Sequence, residues 1–236
     1  MPKKGPRQIP LDLATVTVAT GRENYFVSGS NGIAFNLVEN WQDWPQRKLI
    51  VTGDAGAGKS HLARIWAENT DAHVISGLDM VTADIELLAR GNAVVEDLGL
   101  LIGDRDAETQ LFHLHNLLLA EGHALLMTAR QPPNRMNFVL PDLQSRLGAT
   151  TIAPLEAPDD PLLGALLVKL FADRQIHISA KLLGYVLPRI ERSFEAAQNF
   201  VDEMDARALD EQRKIGQKLA RDVMGSALDK DGEKVP

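Results

Sequence analysis

Gly53-Asp54-Ala55-Gly56-Ala57-Gly58-Lys59-Ser60-His61 is the stretch whose reading decides the fold. It follows an apolar run, Lys48-Leu49-Ile50-Val51-Thr52. It opens an amphipathic one, His61-Leu62-Ala63-Arg64-Ile65-Trp66-Ala67. Strand, glycine loop and helix in that order, with Gly53, Gly58, Lys59 and Ser60 at G-x-x-x-x-G-K-[ST] spacing, are the context of a phosphate-binding P-loop. Glycines let the backbone take unusual torsions and bring N–H groups close to phosphate. The helix N-terminus adds partial positive charge. Lys59 is placed to reach the β and γ phosphates, and Ser60 to hold Mg²⁺.

A second chemical signal lies downstream. Ala93-Val94-Val95-Glu96-Asp97 reads as a buried strand ending in two carboxylates. After a P-loop, an acidic pair at the end of a parallel strand occupies the Walker B position. One carboxylate serves Mg²⁺, and the other orients the attacking water.

The chain has 236 residues, enough for an α/β domain and a small second domain. Its net charge of −7 argues against a dedicated nucleic-acid surface. Without cysteine there is no disulfide, thiolate zinc site or cysteine nucleophile, which fits a reducing compartment. No apolar run approaches the length of a membrane span, and the basic start, MPKKGPRQIPLDL, lacks the apolar core of a secretory signal.

Residues 1–22 read as an extended tail with Pro2, Pro6 and Pro10. Within it, Pro10 keeps Ile9 extended, and Leu11 and Leu13 alternate toward one side. On spacing alone, these leucines serve equally to dock in a partner's groove or to staple the tail to its own domain. A helix is expected over about Gly32–Trp44, capped by Ser30 or Asn31, with Ile33, Leu37, Val38 and Trp41 as its apolar stripe. Further strands are expected at Ala72–Ile75, Ala124–Thr128 and Thr150–Ile152. Helices are expected near Leu78–Ala89 and Ala107–Ala120 and from about Pro141. Five strands alternating with helices give an α/β fold: a parallel five-stranded sheet with helices on both faces. Pro154–Asp160 marks the boundary with an all-helical lid. Its helices are expected at about Pro161–Ala172, Ala180–Leu187, Phe194–Leu209 and Asp210–Val223, with 226–236 polar and disordered. The domains are thus a tail (1–22), a nucleotide-binding domain (23–156), a lid (157–225) and a terminal tail. His113 and His115 point apart on their helix, and all six histidines read as structural or surface.

Taken together, these residues resemble a AAA+ ATPase of the DnaA clade, and within it the Hda family of initiator regulators. Tyr25-Phe26-Val27-Ser28-Gly29-Ser30-Asn31 is similar to the opening segment of the DnaA nucleotide domain, which borders the adenine. Pro141-Asp142-Leu143-Gln144-Ser145-Arg146 is similar to the segment carrying the arginine finger, with Arg146 as the finger. Gln212-Arg213-Lys214-Ile215 resembles a stretch typical of the Hda family. Gln8-Ile9-Pro10-Leu11-Asp12-Leu13 resembles the Q-x-x-L-x-L motif that docks on the replication sliding clamp. Read from the residues alone, Arg146 is equally a salt bridge at a helix end.

The resemblance implies a cytoplasmic bacterial protein that binds ADP or ATP with Mg²⁺. Phe26, Val27 and the loop from Gly53 to His61 would contact nucleotide, and Ser60 and Glu96 the metal. Asp97 with Glu96 would serve hydrolysis, and Arg146 would act in trans. Gln8, Ile9, Leu11 and Leu13 would bind the clamp, the β subunit of DNA polymerase III. DnaA would be the second partner, with homo-oligomers possible through AAA+ faces. No helix-turn-helix module is expected after the lid, hence no sequence-specific DNA binding. Three positions depart from the family pattern. Glu96 stands where aspartate is usual, Ala129 falls where a polar sensor is usual, and Glu195 falls where a lid arginine is usual. They make efficient self-hydrolysis doubtful, and count against a self-contained motor of helicase-loader or transposition type. A nucleotide-controlled scaffold for another replication protein is the third reading.

Overall fold

The computed structural model describes residues 25–231, with side chains to residue 225. The tail residues Gln8, Ile9, Leu11 and Leu13 lie outside the described residues. The chain divides into two compact units. Among the described residues, one comprises 29–158 with 191–196; the other comprises 25–28, 159–190 and 197–231.

The first unit is built on five parallel strands: β1 (Lys48–Thr52), β2 (His73–Ser76), β3 (Ala93–Glu96), β4 (Leu125–Ala129) and β5 (Thr151–Pro154). Their order is β2-β3-β4-β1-β5, so the P-loop strand and the acidic strand flank β4. Register pairs Val51 with Thr128, Thr52 with Ala129 and Val95 with Met127. Every residue of β1 and β4 is buried, as expected for central strands covered on both faces. The helices are α1 (Gly32–Glu39), α2 (Lys59–Thr70), α3 (Ile85–Leu88), α4 (Arg105–Glu121) and α5 (Pro141–Gly148). Leu111, Leu114 and Leu118 of α4 join Ile50, Val95, Leu125 and Met127 of the sheet in one core. Asp104 caps α4 by accepting from the N–H groups of Asp106 and Ala107, and Gly122 ends it in the left-handed region.

Several sequence expectations need correction. The first helix stops at Glu39, and Trp41–Asp43 and Pro45–Arg47 form two 3₁₀ turns. Asn31 holds its cap position but makes no side-chain capping bond to the helix. Ile33 is 67% exposed, and Ala34, Phe35 and Val38 are the buried residues. The buried Trp44 stacks on Trp66 of α2 at 5.3 Å, which turns the chain before the helix reaches it. Residues 77–89 form a 3₁₀ run, Gly77–Thr82, and the short α3. The split falls where Asp84 caps α3 by accepting from the N–H of Leu87. Serine and aspartate favour such local caps over helix continuation.

The second unit packs α6 (Asp160–Asp173), α7 (Ala180–Val186), α8 (Phe194–Asp210) and α9 (Gln217–Asp231) around Phe171, Leu182, Val186, Phe200, Met204 and Leu219. Residues 211–216, expected to be helical, are a connection, and α9 starts seven residues later than expected. It continues to Asp231, through part of the stretch expected to be disordered. Gly216 precedes it, and Gln212 has a left-handed backbone (φ 49°), which interrupts a helix. No helix among the described residues is long and apolar enough to cross a membrane.

Candidate functional site

Parallel strands bring their C-terminal ends to one edge, and the chemistry-bearing loops collect there. The P-loop leaves β1 at Thr52 and enters α2 at Lys59. Gly56 (φ 70°) and Gly58 (φ 93°) both take the left-handed backbone that the notation G-x-x-x-x-G-K anticipates. Gly53 is constrained by close approach instead: a Cβ there would lie 2.6 Å from the Leu155 carbonyl oxygen. That backbone is held in place, since the Leu155 N–H donates to Thr52 O at 2.7 Å. Gly53→Ala should therefore shift the loop, weakening ADP binding at least tenfold and destabilising the unit by about 1–3 kcal/mol. Gly91→Ala, where the added methyl meets open space, is the control. Nucleotide titration and thermal unfolding of the two variants check this.

Lys59 Nζ donates to the carbonyls of Gly53 and Asp54, each at 2.7 Å, which holds the ammonium at the mouth of the loop. Burial lowers its pKa; Asp97 and Asp54 oppose that shift, and Arg130 adds to it. The P-loop lysine, the acidic strand end and Arg130 at the end of β4 thus share one electrostatic neighbourhood. Asp97 takes a left-handed backbone (φ 54°), rare outside glycine. It is pinned there from two sides: its N–H donates to Thr128 Oγ1 at 2.9 Å, and its carboxylate accepts from the N–H of Gly99. The buried Thr128 hydroxyl thus anchors Asp97. Glu96 is half-buried at the end of β3, and Ser60 is exposed on the first turn of α2.

Residues 191–196 pack with this unit, and the Phe194 N–H donates to Gly56 O at 2.9 Å. The Phe194 ring lies over Gly58, and Glu195 lies against Gly56. Asp54, Ala55 and His61 are exposed and Ala57 is buried. Phe26 and Val27 are half-buried and group with the other unit. The left-handed glycines, the ammonium and the carboxylates fit a nucleotide's phosphates and a hard cation.

Arg146 belongs to the opposite edge. Its charge acts on Lys48, the first residue of β1, and on His115. At about 3.3 Å per residue, β1 separates the two edges by roughly 13 Å. Arg146 is exposed and makes no ion pair among the described residues. Its guanidinium lies 5.2 Å from the centre of the Phe112 ring, so the salt-bridge reading does not apply. Beneath it, Lys48 Nζ meets His115 Nε2 at 2.6 Å, both residues buried.

Sequence reading missed this pair, as well as Glu108 and Phe112. The signal for Glu108 was an acid beside the apolar stripe Ala107, Leu111, Leu114 and Leu118. Glu108 is fully buried and accepts three backbone hydrogen bonds.

No protein-family model matches the chain. An uncharacterized protein of Haemophilus influenzae is 27% identical over 219 residues, covering 89% of this chain and 94% of that protein. The chromosomal replication initiator protein DnaA of Sphingopyxis alaskensis is 24% identical over 224 residues, covering 85% of this chain. The chain spans about half of that DnaA, 49% of its length. Among solved structures, domain III of Thermotoga maritima DnaA superposes with a TM-score of 0.73 at 19% identity, over 86% of this chain and 95% of that one. AMPPCP-bound DnaA from Aquifex aeolicus gives 0.65 at 18% identity, over 80% and 65%. The fold is that of the AAA+ proteins, in the form found in domain III of DnaA.

Proposed function

We propose that this chain is an Hda-like regulator of replication initiation. It binds ADP or ATP at the P-loop, docks on the DNA sliding clamp through its tail, and promotes hydrolysis of ATP bound to DnaA. Arg146 carries this reading. An exposed arginine with no ion pair, at the sheet edge away from the chain's own P-loop, is poorly sited for nucleotide in cis and well sited for a neighbour's. AAA+ proteins pack head to tail, which brings such an edge to the next nucleotide. There the guanidinium would stabilise charge developing on the γ phosphate. Within this chain Lys59 would hold phosphate, and Ser60 and Glu96 would hold Mg²⁺, whose bound charge would neutralise the phosphate oxygens. Glu195 beside the loop and Ala129 at the end of β4 support weak hydrolysis of the chain's own nucleotide.

The test combines the purified chain, DNA-loaded clamp and DnaA charged with ATP. Hydrolysis of the DnaA-bound ATP should accelerate only when all are present. Replacing Gln8, Leu11 and Leu13 with alanine should abolish clamp binding and reduce the acceleration at least tenfold, since tethering acts through effective concentration. Clamp binding without acceleration would favour a scaffold. Hydrolysis by the chain alone, raised by DNA and indifferent to the tail, would make it a self-contained motor.

A further inference from the structure

We infer that Glu108 is the positioning residue for Arg146: its buried carboxylate fixes the start of α5 and so sets where the guanidinium is presented. The inference rests on Arg146 acting on a partner's nucleotide. α5 supplies no capping side chain of its own: Leu140 occupies its cap position without a side-chain bond. The carboxylate of Glu108, on α4, does that work from outside. Oε2 accepts from the Leu140 N–H at 2.8 Å, and Oε1 from the Val139 N–H at 3.0 Å. Oε1 also accepts from the Gly103 N–H at 3.0 Å, tying the preceding turn to the same group.

The geometry links this clamp to the guanidinium by a short, rigid path. Glu108 and Phe112 are four residues apart, hence neighbours on one face of α4. The first holds the beginning of α5, and the ring of the second lies under Arg146, in the last turn of that eight-residue helix. Gln144, between them, donates to Pro133 O at 2.7 Å and accepts from the Phe138 N–H at 3.3 Å. A fully buried carboxylate is a costly way to join a loop to a helix unless its acceptors are all used. Here all three donors are backbone N–H groups converging from two segments. An amide at the same place would turn one acceptor oxygen into an N–H₂ donor facing them.

Glu108→Gln keeps the side chain's volume and breaks part of this pattern. At saturation it should lower stimulated hydrolysis of DnaA-bound ATP roughly tenfold, because misplacing a reacting group by a full ångström costs about 10²-fold and a loosened helix start shifts the guanidinium by a fraction of that. The concentration of chain giving half-maximal stimulation should change less than twofold. Amide exchange at Val139, Leu140 and α5 should rise, while exchange in β1 and ADP affinity at the P-loop stay as in the parent. That combination supports the inference. Unchanged exchange at Leu140, or faster exchange with undiminished stimulation while Arg146→Ala abolishes it, would overturn it. Equal loss of ADP binding would also overturn it, by showing that Glu108 only holds the fold. If Arg146→Ala has no effect, the finger reading has failed and this inference falls with it.

Discussion

Arg146→Ala will reduce stimulated hydrolysis of DnaA-bound ATP by about 10³-fold or more, the range an arginine finger supplies, while the chain still folds, binds nucleotide and engages the clamp. The expectation of an intact fold follows from the surroundings of Arg146. The residue is exposed, forms no ion pair among the described residues, and its guanidinium lies over the Phe112 ring. Losing an exposed cation–π contact costs about 0.5–1 kcal/mol, too little to unfold the unit. The loss of function follows from chemistry. As the finger, Arg146 would supply the guanidinium that stabilises charge on the γ phosphate, and alanine supplies none. Arg146→Lys should recover little, because an ammonium lacks the planar fork that contacts two phosphate oxygens. Single-turnover hydrolysis on clamp-loaded DNA, alongside ADP titration and thermal unfolding of each variant, gives the answer. Undiminished hydrolysis in Arg146→Ala would remove the finger role. Parallel loss of folding and hydrolysis would make the residue structural.

What was legible in the sequence was local or periodic. The P-loop is a contiguous pattern whose glycines do in space what the spacing implies. β1, β3 and β4 are apolar runs long enough to be central strands. Since parallel strands align their ends, the meeting of Lys59 with Asp97 follows from two local readings and one topological rule. What was not legible depends on tertiary partners. Nothing around Asp97 in sequence signals a left-handed backbone; the Thr128 hydroxyl, 31 residues away, helps to hold it there. The helix expected across Leu78–Ala89 breaks because Asp84 satisfies the Leu87 N–H locally, a competition that periodicity ignores. Nothing in the sequence around Glu108 marks its partners, the N–H groups of Val139 and Leu140, 31 and 32 positions away. Lys48, the one charged residue of its strand, is 4% exposed, and its partner His115 is 67 positions away.

That lysine gives the second large effect: the first unit should lose stability as pH falls from about 6.5 to 4, and His115 should account for much of the loss. Lys48 Nζ donates to His115 Nε2 at 2.6 Å, which requires a neutral imidazole protonated at Nδ1. The same tautomer lets Nδ1 donate to Asn116 Oδ1 at 3.3 Å. Burial, and then the charge of Lys48, hold the His115 pKa down to about 4; Arg146 adds a little, and the Asn116 bond opposes. Since the unfolded value is near 6.5, the unfolded chain binds the extra proton throughout that interval and the folded chain does not. Stability is therefore complete above pH 6.5 and drains away as pH drops toward 4. A shift of this size corresponds to roughly 3 kcal/mol. Exposed carboxylates titrate in the same interval, so the informative quantity is the difference between the parent and His115→Gln. Glutamine can accept from Lys48 and carries no titratable proton. Urea unfolding of both between pH 4.5 and 7.5 should show a shallower slope for the variant; equal slopes would mean that His115 gains its proton without disturbing the fold. Because the charge of Arg146 acts on both members of this pair, protonating His115 brings the cluster of Arg146, Lys48 and His115 to three positive charges. Stimulated hydrolysis should then fail in acid before the unit unfolds, and His115→Gln should extend it to lower pH.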